Sequence, residues 1–148
     1  AAALPASMAT PPRFEQGDAL NLPFADGGFD VVTISYGLRN LADLDRGLRE
    51  LLRVIRPGGR LLILDFGKPD SAVWRWGYFQ YLRYLVPVFG RLFCGESDTH
   101  SYILASLEKY PAQRGVEARL RELGCIDTRV VNLLGGIMGI NVARRAEA

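Results

Sequence analysis

Residues 31–34 form a run of β-branched, mostly apolar side chains, and a polar turn that contains glycine follows at residues 35–40. Such a run predicts a strand that is buried on both faces, as strands of parallel sheets are. Ligands of open parallel sheets bind beyond the carboxyl ends of the strands. The turn therefore places Tyr36, Arg39 and Asn40 where a ligand would lie. The alternative is a solvated loop with a surface arginine.

After this turn, apolar residues recur with the spacing of one face of a helix. They are Leu44, Leu48, Leu51, Leu52 and Ile55. Asp43 is placed to cap the first turn of this helix, and Pro57-Gly58-Gly59 is placed to end it. Residues 60–66 are again mostly apolar and predict a second buried strand. A strand, a helix and a strand with short connections predict a right-handed βαβ unit, so the expected fold class is α/β.

A change of composition marks residues 71–111, because residues 71–91 contain seven aromatic side chains. We expect one or two amphipathic helices over this aromatic part, broken near Pro87. None of its apolar runs is long enough for a transmembrane helix. Two interpretations stay open, which are a helical layer that packs on the sheet and a lid over an apolar ligand.

The two ends of the chain have different patterns. Residues 1–12 are rich in Ala and Pro and are expected to form a disordered or truncated start, followed by a short strand at residues 13–16. Near the other end, residues 126–133 and 137–142 predict two strands. Leu134-Gly135-Gly136 joins them, and a connection with two glycines favours an antiparallel hairpin.

Composition and charge argue against several classes of function. The net charge of +2 is mild and no block of like charges occurs, so no nucleic-acid partner is expected. His100 is the only histidine, which argues against a histidine-based metal site; we expect no metal and a surface role for this residue. Cys94 and Cys125 are expected to be free, buried thiols. Since no secretory signal is recognisable, we expect a cytoplasmic protein, at most peripheral to a membrane.

Several motifs resemble those of a known protein family. GDA followed by LPF at residues 17–24, GFDVV at residues 28–32 and LRVIRPGGRL at residues 52–61 resemble motifs of class I S-adenosylmethionine (SAM) methyltransferases. YGLRNL at residues 36–41 and NLLGGI at residues 132–137 resemble signatures of the ubiquinone/menaquinone-biosynthesis C-methyltransferases of the UbiE type. The resemblance extends over nearly the whole chain.

This resemblance implies a Rossmann-like class I sheet with a C-terminal antiparallel hairpin and an inserted helical lid at residues 71–111. The family begins with a strand and a glycine-rich SAM-binding loop, and neither precedes Phe14. We therefore expect an N-terminally incomplete sheet, with residues 13–148 forming the C-terminal part of a single methyltransferase domain. We expect such a chain to form a homodimer or to require a missing N-terminal half as its partner.

The resemblance also implies a cofactor site for SAM. The Asp18 carboxylate would accept from the adenine amino group, the Ala19 backbone N–H would face a ring nitrogen, and Ser35 would line the site near the methionine moiety. The structural alternatives are a turn aspartate that bonds its own backbone and a strand-end hydroxyl.

For the substrate, the resemblance implies a prenylated quinol whose ring carbon attacks the SAM methyl group. A ring hydroxyl has a pKa near 10, so a guanidinium beside its oxygen would stabilise the phenolate, and we assign Arg39 this catalytic role. Asn40 could hold the same oxygen or the loop. Tyr36 and Tyr81 could pack on the ring or relay a proton, and aromatic core is the alternative for both.

The implied function is SAM-dependent C-methylation of a benzoquinol or naphthoquinol in quinone biosynthesis. The polyprenyl tail of the substrate implies an apolar groove and a peripheral encounter with a membrane, with residues 74–89 as the expected surface. Two alternatives stay open. The chain is a non-catalytic or partner-dependent methyltransferase fragment, or it methylates another small molecule on the same scaffold.

Overall fold

The computed structural model of the chain describes residues 12–93 and 98–147, with side chains described outside residues 90–102. The strands are β1 (Phe29–Ser35), β2 (Ile55–Phe66), β3 (Ile126–Leu133) and β4 (Met138–Arg144). The helices are α1 (Leu44–Val54), α2 (Ala72–Gln80), α3 (Val86–Phe93), α4 (Asp98–Lys109) and α5 (Ala112–Glu122). A π-helical turn, Tyr81–Leu85, joins α2 to α3, and Leu38–Asn40 and Leu134–Gly136 are 3-10 turns.

The four strands form one sheet in the order β1-β2-β4-β3. Strands β1 and β2 are parallel, whereas β4 runs antiparallel to both β2 and β3. The predicted βαβ unit and the predicted C-terminal hairpin are therefore confirmed. Because β1 and β2 are parallel neighbours, their carboxyl ends lie side by side at one edge of the sheet, and this edge carries the candidate site.

Helix α1 forms where its apolar stripe predicts it. The Asp43 carboxylate accepts the backbone N–H of Arg46 at 2.9 Å, which caps the helix. The helix ends at Val54, however, and Pro57-Gly58-Gly59 lies within β2 instead of between the two elements. The pairing register with β1 shifts at this point, as at a β-bulge. A side chain at Gly59 would place its Cβ 2.8 Å from the Asp30 carbonyl oxygen, so the close approach of the strands requires glycine.

Strand β1 is more exposed than its apolar run predicts, and burial on both faces is wrong for the described residues. Val31 is 50% exposed, and β1 has a strand partner only on its β2 side among the described residues. The core lies on the other face of the sheet, where Leu61 and Ile63 pack with helices α1 and α5. Within the described residues, β1 is therefore an edge strand of the sheet, with Val31 half exposed on one face.

Two further expectations about local structure are wrong. Residues 13–16 are an exposed, irregular segment with no strand. The predicted break near Pro87 is a change of helical register and not an interruption, since α2 ends at Gln80 and Pro87 lies in the first turn of α3. The π-helical turn precedes it, and there the Val86 N–H donates to the Tyr81 carbonyl oxygen, five residues back. This wider turn changes the hydrogen-bond register just before the proline, whose missing N–H would otherwise interrupt the helix.

Residues 71–111 are helical over most of their described length, and the aromatic side chains divide into two groups. Tyr78 joins the buried core together with the aliphatic Leu82, as a packed layer would require. Trp76 is 68% exposed and Tyr84 is 60% exposed, as the surface of a lid would be. No helix in the described part of the chain has the length and apolar character needed to span a membrane.

Cys125 is a buried, free thiol, as predicted, and burial raises its pKa above the usual range. Cys94 and the side chain of His100 lie outside the described residues and side chains.

Candidate functional site

The turn after β1 and the end of β2 form one site. Ser35, the last residue of β1, pairs in register with Leu64 of β2, and the Tyr36 N–H donates to the Leu64 carbonyl oxygen at 2.8 Å. The chain then enters the 3-10 turn that carries Arg39 and Asn40. Adjacent carboxyl ends of parallel strands thus place Arg39 beside Asp65, the next-to-last residue of β2.

Arg39 and Asp65 form a buried ion pair. Nη1 of Arg39 donates to Oδ1 of Asp65 at 2.6 Å, and the two side chains are only 7% and 4% exposed. The backbone N–H of Arg39 donates to Oδ2 at 3.2 Å, and that of Phe66 donates to Oδ1 at 2.8 Å. A buried charge requires such partners because its desolvation costs several kcal/mol. The alternative of a surface arginine is therefore wrong for Arg39. The positive charge that was predicted to face a ligand is neutralised by Asp65.

Tyr36 adopts a backbone conformation that bulky residues avoid, with φ of 54°. Its carbonyl oxygen accepts from Nη1 of Arg39 at 3.2 Å and from Nδ2 of Asn40 at 3.2 Å. These hydrogen bonds offset the strain, which is of order 1–3 kcal/mol. Tyr36, Arg39 and Asn40 are thus brought together, as the sequence predicts, by contacts around one carbonyl group.

One aromatic ring contacts the ion pair, and two buried tyrosines interact with it electrostatically. The Phe66 ring lies under the guanidinium, with its centroid 4.9 Å from Cζ of Arg39, and it packs against Tyr36 at 5.3 Å between centroids. Burial raises the pKa of Tyr78 to about 12, with a further rise from Tyr81 and an opposing effect of Arg39. Burial also raises the pKa of Tyr110 well above the usual range, and the negative charge of Asp65 adds to that rise. The two buried tyrosines therefore stay protonated at neutral pH.

One cavity is lined by Arg39, and a second lies among the helices that follow β2. A cavity of about 320 Å³ is lined by Arg39, by residues of the following loop, and by Lys109 and Tyr110 at the end of α4 and directly after it. A second cavity, of about 470 Å³, lies between α2 and α4 and is lined by Trp76 and Phe79 among others. Tyr81, on the π-helical turn, is about half exposed and shows no described contact with Arg39.

The predicted adenine-binding residues lie in a separate loop. Oδ1 of Asp18 accepts the Leu20 N–H at 2.9 Å, which matches the turn alternative, but the exposed carboxylate has further lone pairs for a second donor. Helix α1 holds the loop, since Glu50 accepts the Leu22 N–H at 2.7 Å and the hydrogen bond from Arg53 lowers the pKa of Glu50. A small cavity of about 140 Å³ lies against Ala19.

This loop fits the adenine end of SAM, because an exposed carboxylate is followed by a backbone N–H beside a cavity. It shows no described contact with the Arg39 group. Among the predicted site residues, Ser35 lies directly before the turn that carries Arg39, whereas Asp18 and Ala19 lie in the separate loop, whose Leu20 approaches Leu41 at Gly47 of α1.

Sequence reasoning missed Asp65, Phe66, Tyr78 and Tyr110. The signal for Asp65 was present, because a carboxylate at the end of an apolar, buried strand must have a partner. The same position rule that selects Arg39, the carboxyl end of a parallel strand, also selects Asp65. No cluster of three or more histidine, cysteine or acidic side chains that could bind a metal occurs in the described part of the chain.

Comparison with known proteins agrees with the motifs. The model of the ubiE/COQ5 methyltransferase family matches residues 7–145. A demethylmenaquinone methyltransferase of Desulfitobacterium hafniense is 40% identical over 133 residues, which are 90% of this chain and 53% of that protein. A ubiquinone/menaquinone biosynthesis C-methyltransferase UbiE of Idiomarina loihiensis is 39% identical over 129 residues, 87% of this chain and 51% of that protein. The chain spans about half the length of these curated relatives.

Solved structures share the fold at low sequence identity. A SAM-dependent methyltransferase from Aquifex aeolicus superposes with a TM-score of 0.55 at 17% identity, over 89% of this chain and 54% of that chain. Phosphoethanolamine N-methyltransferase 2 of Haemonchus contortus, solved with SAM, gives 0.60 at 13% identity, over 88% and 36% of the two chains. The fold is that of class I SAM-dependent methyltransferases. The match to the family model over most of the sequence, together with relatives of about 40% identity, shows that the chain belongs to the ubiE/COQ5 methyltransferase family.

Proposed function

We propose that the chain takes part in SAM-dependent C-methylation of a prenylated quinol in quinone biosynthesis. The observation that carries the proposal is the buried Arg39–Asp65 pair at the carboxyl edge of the sheet, with the Phe66 ring against the guanidinium and with Arg39 lining a cavity. A flat phenolic ring with polar oxygens matches such an aromatic face and such donors in both shape and polarity. Two relatives named as quinone-biosynthesis methyltransferases support the same substrate class.

The chain's own residues supply binding and orientation in this proposal. When bound, SAM supplies the methyl group; Asp18 and Ala19 would hold its adenine edge, and Ser35 would lie near its methionine end. Arg39 would donate to a ring oxygen of the quinol, with Asn40 fixing the turn that carries it. This hydrogen bond favours loss of the hydroxyl proton to solvent, and the resulting phenolate has a more electron-rich ring carbon than the neutral quinol; after attack on the methyl group, this carbon loses its own proton to solvent.

The test of this function is genetic and chemical. The full-length gene product that carries this sequence should restore methylated menaquinone to a bacterium whose own demethylmenaquinone methyltransferase gene is deleted. The extracted quinones are separated by chromatography and identified by mass spectrometry. Accumulation of demethylmenaquinone alone, with the protein present at normal abundance, would contradict the proposal.

One observation favours a partner-dependent form of the same function. The outer edge of β1 lacks a strand partner in the described residues and Val31 is half exposed, whereas parallel strands are normally covered on both faces. A second copy of this chain, or further α/β structure, would complete the sheet. In this form the 148-residue chain alone would be folded but without activity.

Contact with a membrane surface is part of the proposal, because a polyprenyl substrate resides in lipid. Helix α2 and the π-helical turn expose Val73, Trp76 and Tyr84 beside Arg75 and Arg83, a combination that suits the interface between lipid tails and headgroups. We expect Trp76→Ser to weaken binding to phosphatidylglycerol-containing vesicles about tenfold, since partial burial of the indole is worth about 1.4 kcal/mol. Co-sedimentation measures the effect.

The matched control is Phe14→Ser, which removes an exposed aromatic side chain from the irregular segment before β1. It should leave vesicle binding unchanged. If both variants lost vesicle binding equally, or if neither lost any, the proposal that α2 contacts the membrane would be wrong.

A further inference from the structure

The Arg39–Asp65 pair differs from the other described ion pairs. It is the only one among the described residues in which both side chains are almost fully buried. The pair between Arg114 and Asp70, for comparison, is 57% and 48% exposed. Burying an ion pair is weak evidence for stability, because desolvation cancels much of the attraction. The Arg39–Asp65 pair lies beside a cavity at the carboxyl edge of the sheet, and this position suggests a role other than stability.

The carboxylate of Asp65 fixes one side of the guanidinium. It accepts from Nη1 of Arg39, from the backbone N–H of Arg39 and from the backbone N–H of Phe66. The Phe66 ring lies against the guanidinium from below, and the Tyr36 carbonyl oxygen accepts a second hydrogen bond from Nη1. Together these contacts leave the guanidinium little freedom to rotate.

The Nε–H of Arg39 has no hydrogen-bond acceptor among the described residues. It is the one buried side-chain nitrogen or oxygen that has no hydrogen-bond partner in the described part of the chain. Leaving a buried donor without an acceptor costs about 1–3 kcal/mol, and more when the group is charged. Arg39 also lines the cavity of about 320 Å³. Because the Nε atom itself is shielded from solvent, an oxygen atom of a ligand would satisfy this donor after a small shift of the side chains between it and the cavity.

We propose that Asp65 is the positioning residue for Arg39, and that the Nε–H left open by this pairing donates to a ring oxygen of the quinol. The inference rests on the proposed function for the identity of the ligand. Asp65 itself does not touch the substrate. Because its charge cancels that of the guanidinium, Arg39 contributes a directed hydrogen bond to the ring oxygen and little net positive charge.

Steady-state methyl transfer to 2-geranyl-1,4-naphthoquinol, kept reduced under anaerobic conditions, tests the positioning role in the full-length gene product. Asp65→Asn keeps the size of the side chain but weakens its hold on Arg39. We expect kcat to fall about 10²-fold, the cost of a misplacement near 1 Å, with KM little changed. Asp65→Glu retains the carboxylate and should recover part of the loss. An unchanged kcat in folded Asp65→Asn overturns the proposal.

A spectroscopic readout keeps the inference separate from the proposed function. The Nε–H resonance of Arg39, identified by its absence in Arg39→Lys, should exchange slowly with water and should shift when 1,4-naphthoquinol is added. In Asp65→Asn its exchange should be at least about tenfold faster. If these changes occur but the wild-type protein transfers no methyl group, the positioning stands and the proposed function fails. A resonance that does not respond to the quinol overturns the ligand assignment.

The matched control is Asp70→Asn, which breaks an exposed pair of the same two residue types. It should change neither kcat nor the Arg39 resonance, since exposed pairs contribute only about 0–1 kcal/mol. An Asp70→Asn effect as large as that of Asp65→Asn would mean that the loss reflects general destabilisation, and it would also overturn the proposal.

Discussion

Replacing Arg39 by alanine is expected to lower the rate of methyl transfer to a prenylated naphthoquinol by about 10²–10³-fold, the usual effect of removing one donor to a developing oxyanion. The dissociation constant for SAM should stay unchanged, because Arg39 has no described contact with the Asp18 loop. Single-turnover transfer of a radiolabelled methyl group measures the first quantity, and isothermal titration measures the second.

The alanine variant also leaves Asp65 buried without its partner, which destabilises folds by about 3–5 kcal/mol. Arg39→Lys therefore accompanies it, since lysine can still pair with Asp65 but has no Nε–H to offer. We expect a similarly low rate in this variant with thermal stability close to that of the wild type. Arg114→Ala, at the exposed pair with Asp70, serves as the control. Full activity in Arg39→Lys would exclude the proposed hydrogen bond to the ring oxygen.

The 148-residue chain expressed alone is expected to associate through β1. Val31 and Thr33 lie on an apolar strand whose outer edge has no described partner, and exposed edges of this kind pair with other chains. We expect dimers, exchange of the N-terminal segment or aggregation in light scattering. SAM binding should be weak or undetectable, because Asp18, Ala19 and Ser35 are the residues of this chain that are assigned to the cofactor, and they would contact only part of it.

Lysine is a common protection of natural edge strands, so Val31→Lys should shift the population toward monomer. Val73→Lys introduces the same charge at an exposed apolar position of α2, outside the sheet, and should leave association unchanged. A monodisperse wild-type chain that binds SAM with micromolar affinity would contradict the expectation, as would association that the β1 lysine does not reduce.

The elements that could be predicted from the sequence are those whose signals are local. Helix α1 follows from a stripe of leucines and the Asp43 cap, and the β3–β4 hairpin follows from two apolar runs around Gly135 and Gly136. In both cases propensity, periodicity and turn chemistry agree. Arg39 and Asn40 could be placed at the site because ligands of open parallel sheets bind beyond the carboxyl ends of the strands, and the sequence shows where a strand ends.

The features that could not be predicted depend on contacts between distant segments. Whether β1 is buried depends on which elements lie beside it. Its apolar run shows that the strand can be buried, but not that a neighbouring element covers it. The π-helical turn before Pro87 depends on a hydrogen-bond register that periodicity does not report. The pairing of Arg39 with Asp65 joins residues from two strand ends, so the sequence shows a cation and an anion but not their neutralisation.

The most direct test of the account is the identity of the methylated product. The full-length gene product is incubated with SAM carrying a deuterated methyl group and 2-geranyl-1,4-naphthoquinol, and the product is analysed by mass spectrometry and NMR. The account predicts a new carbon–carbon bond between the deuterated methyl group and the unsubstituted ring carbon of the quinol. A methyl group found on a ring oxygen, or no transfer by the folded protein, would contradict it.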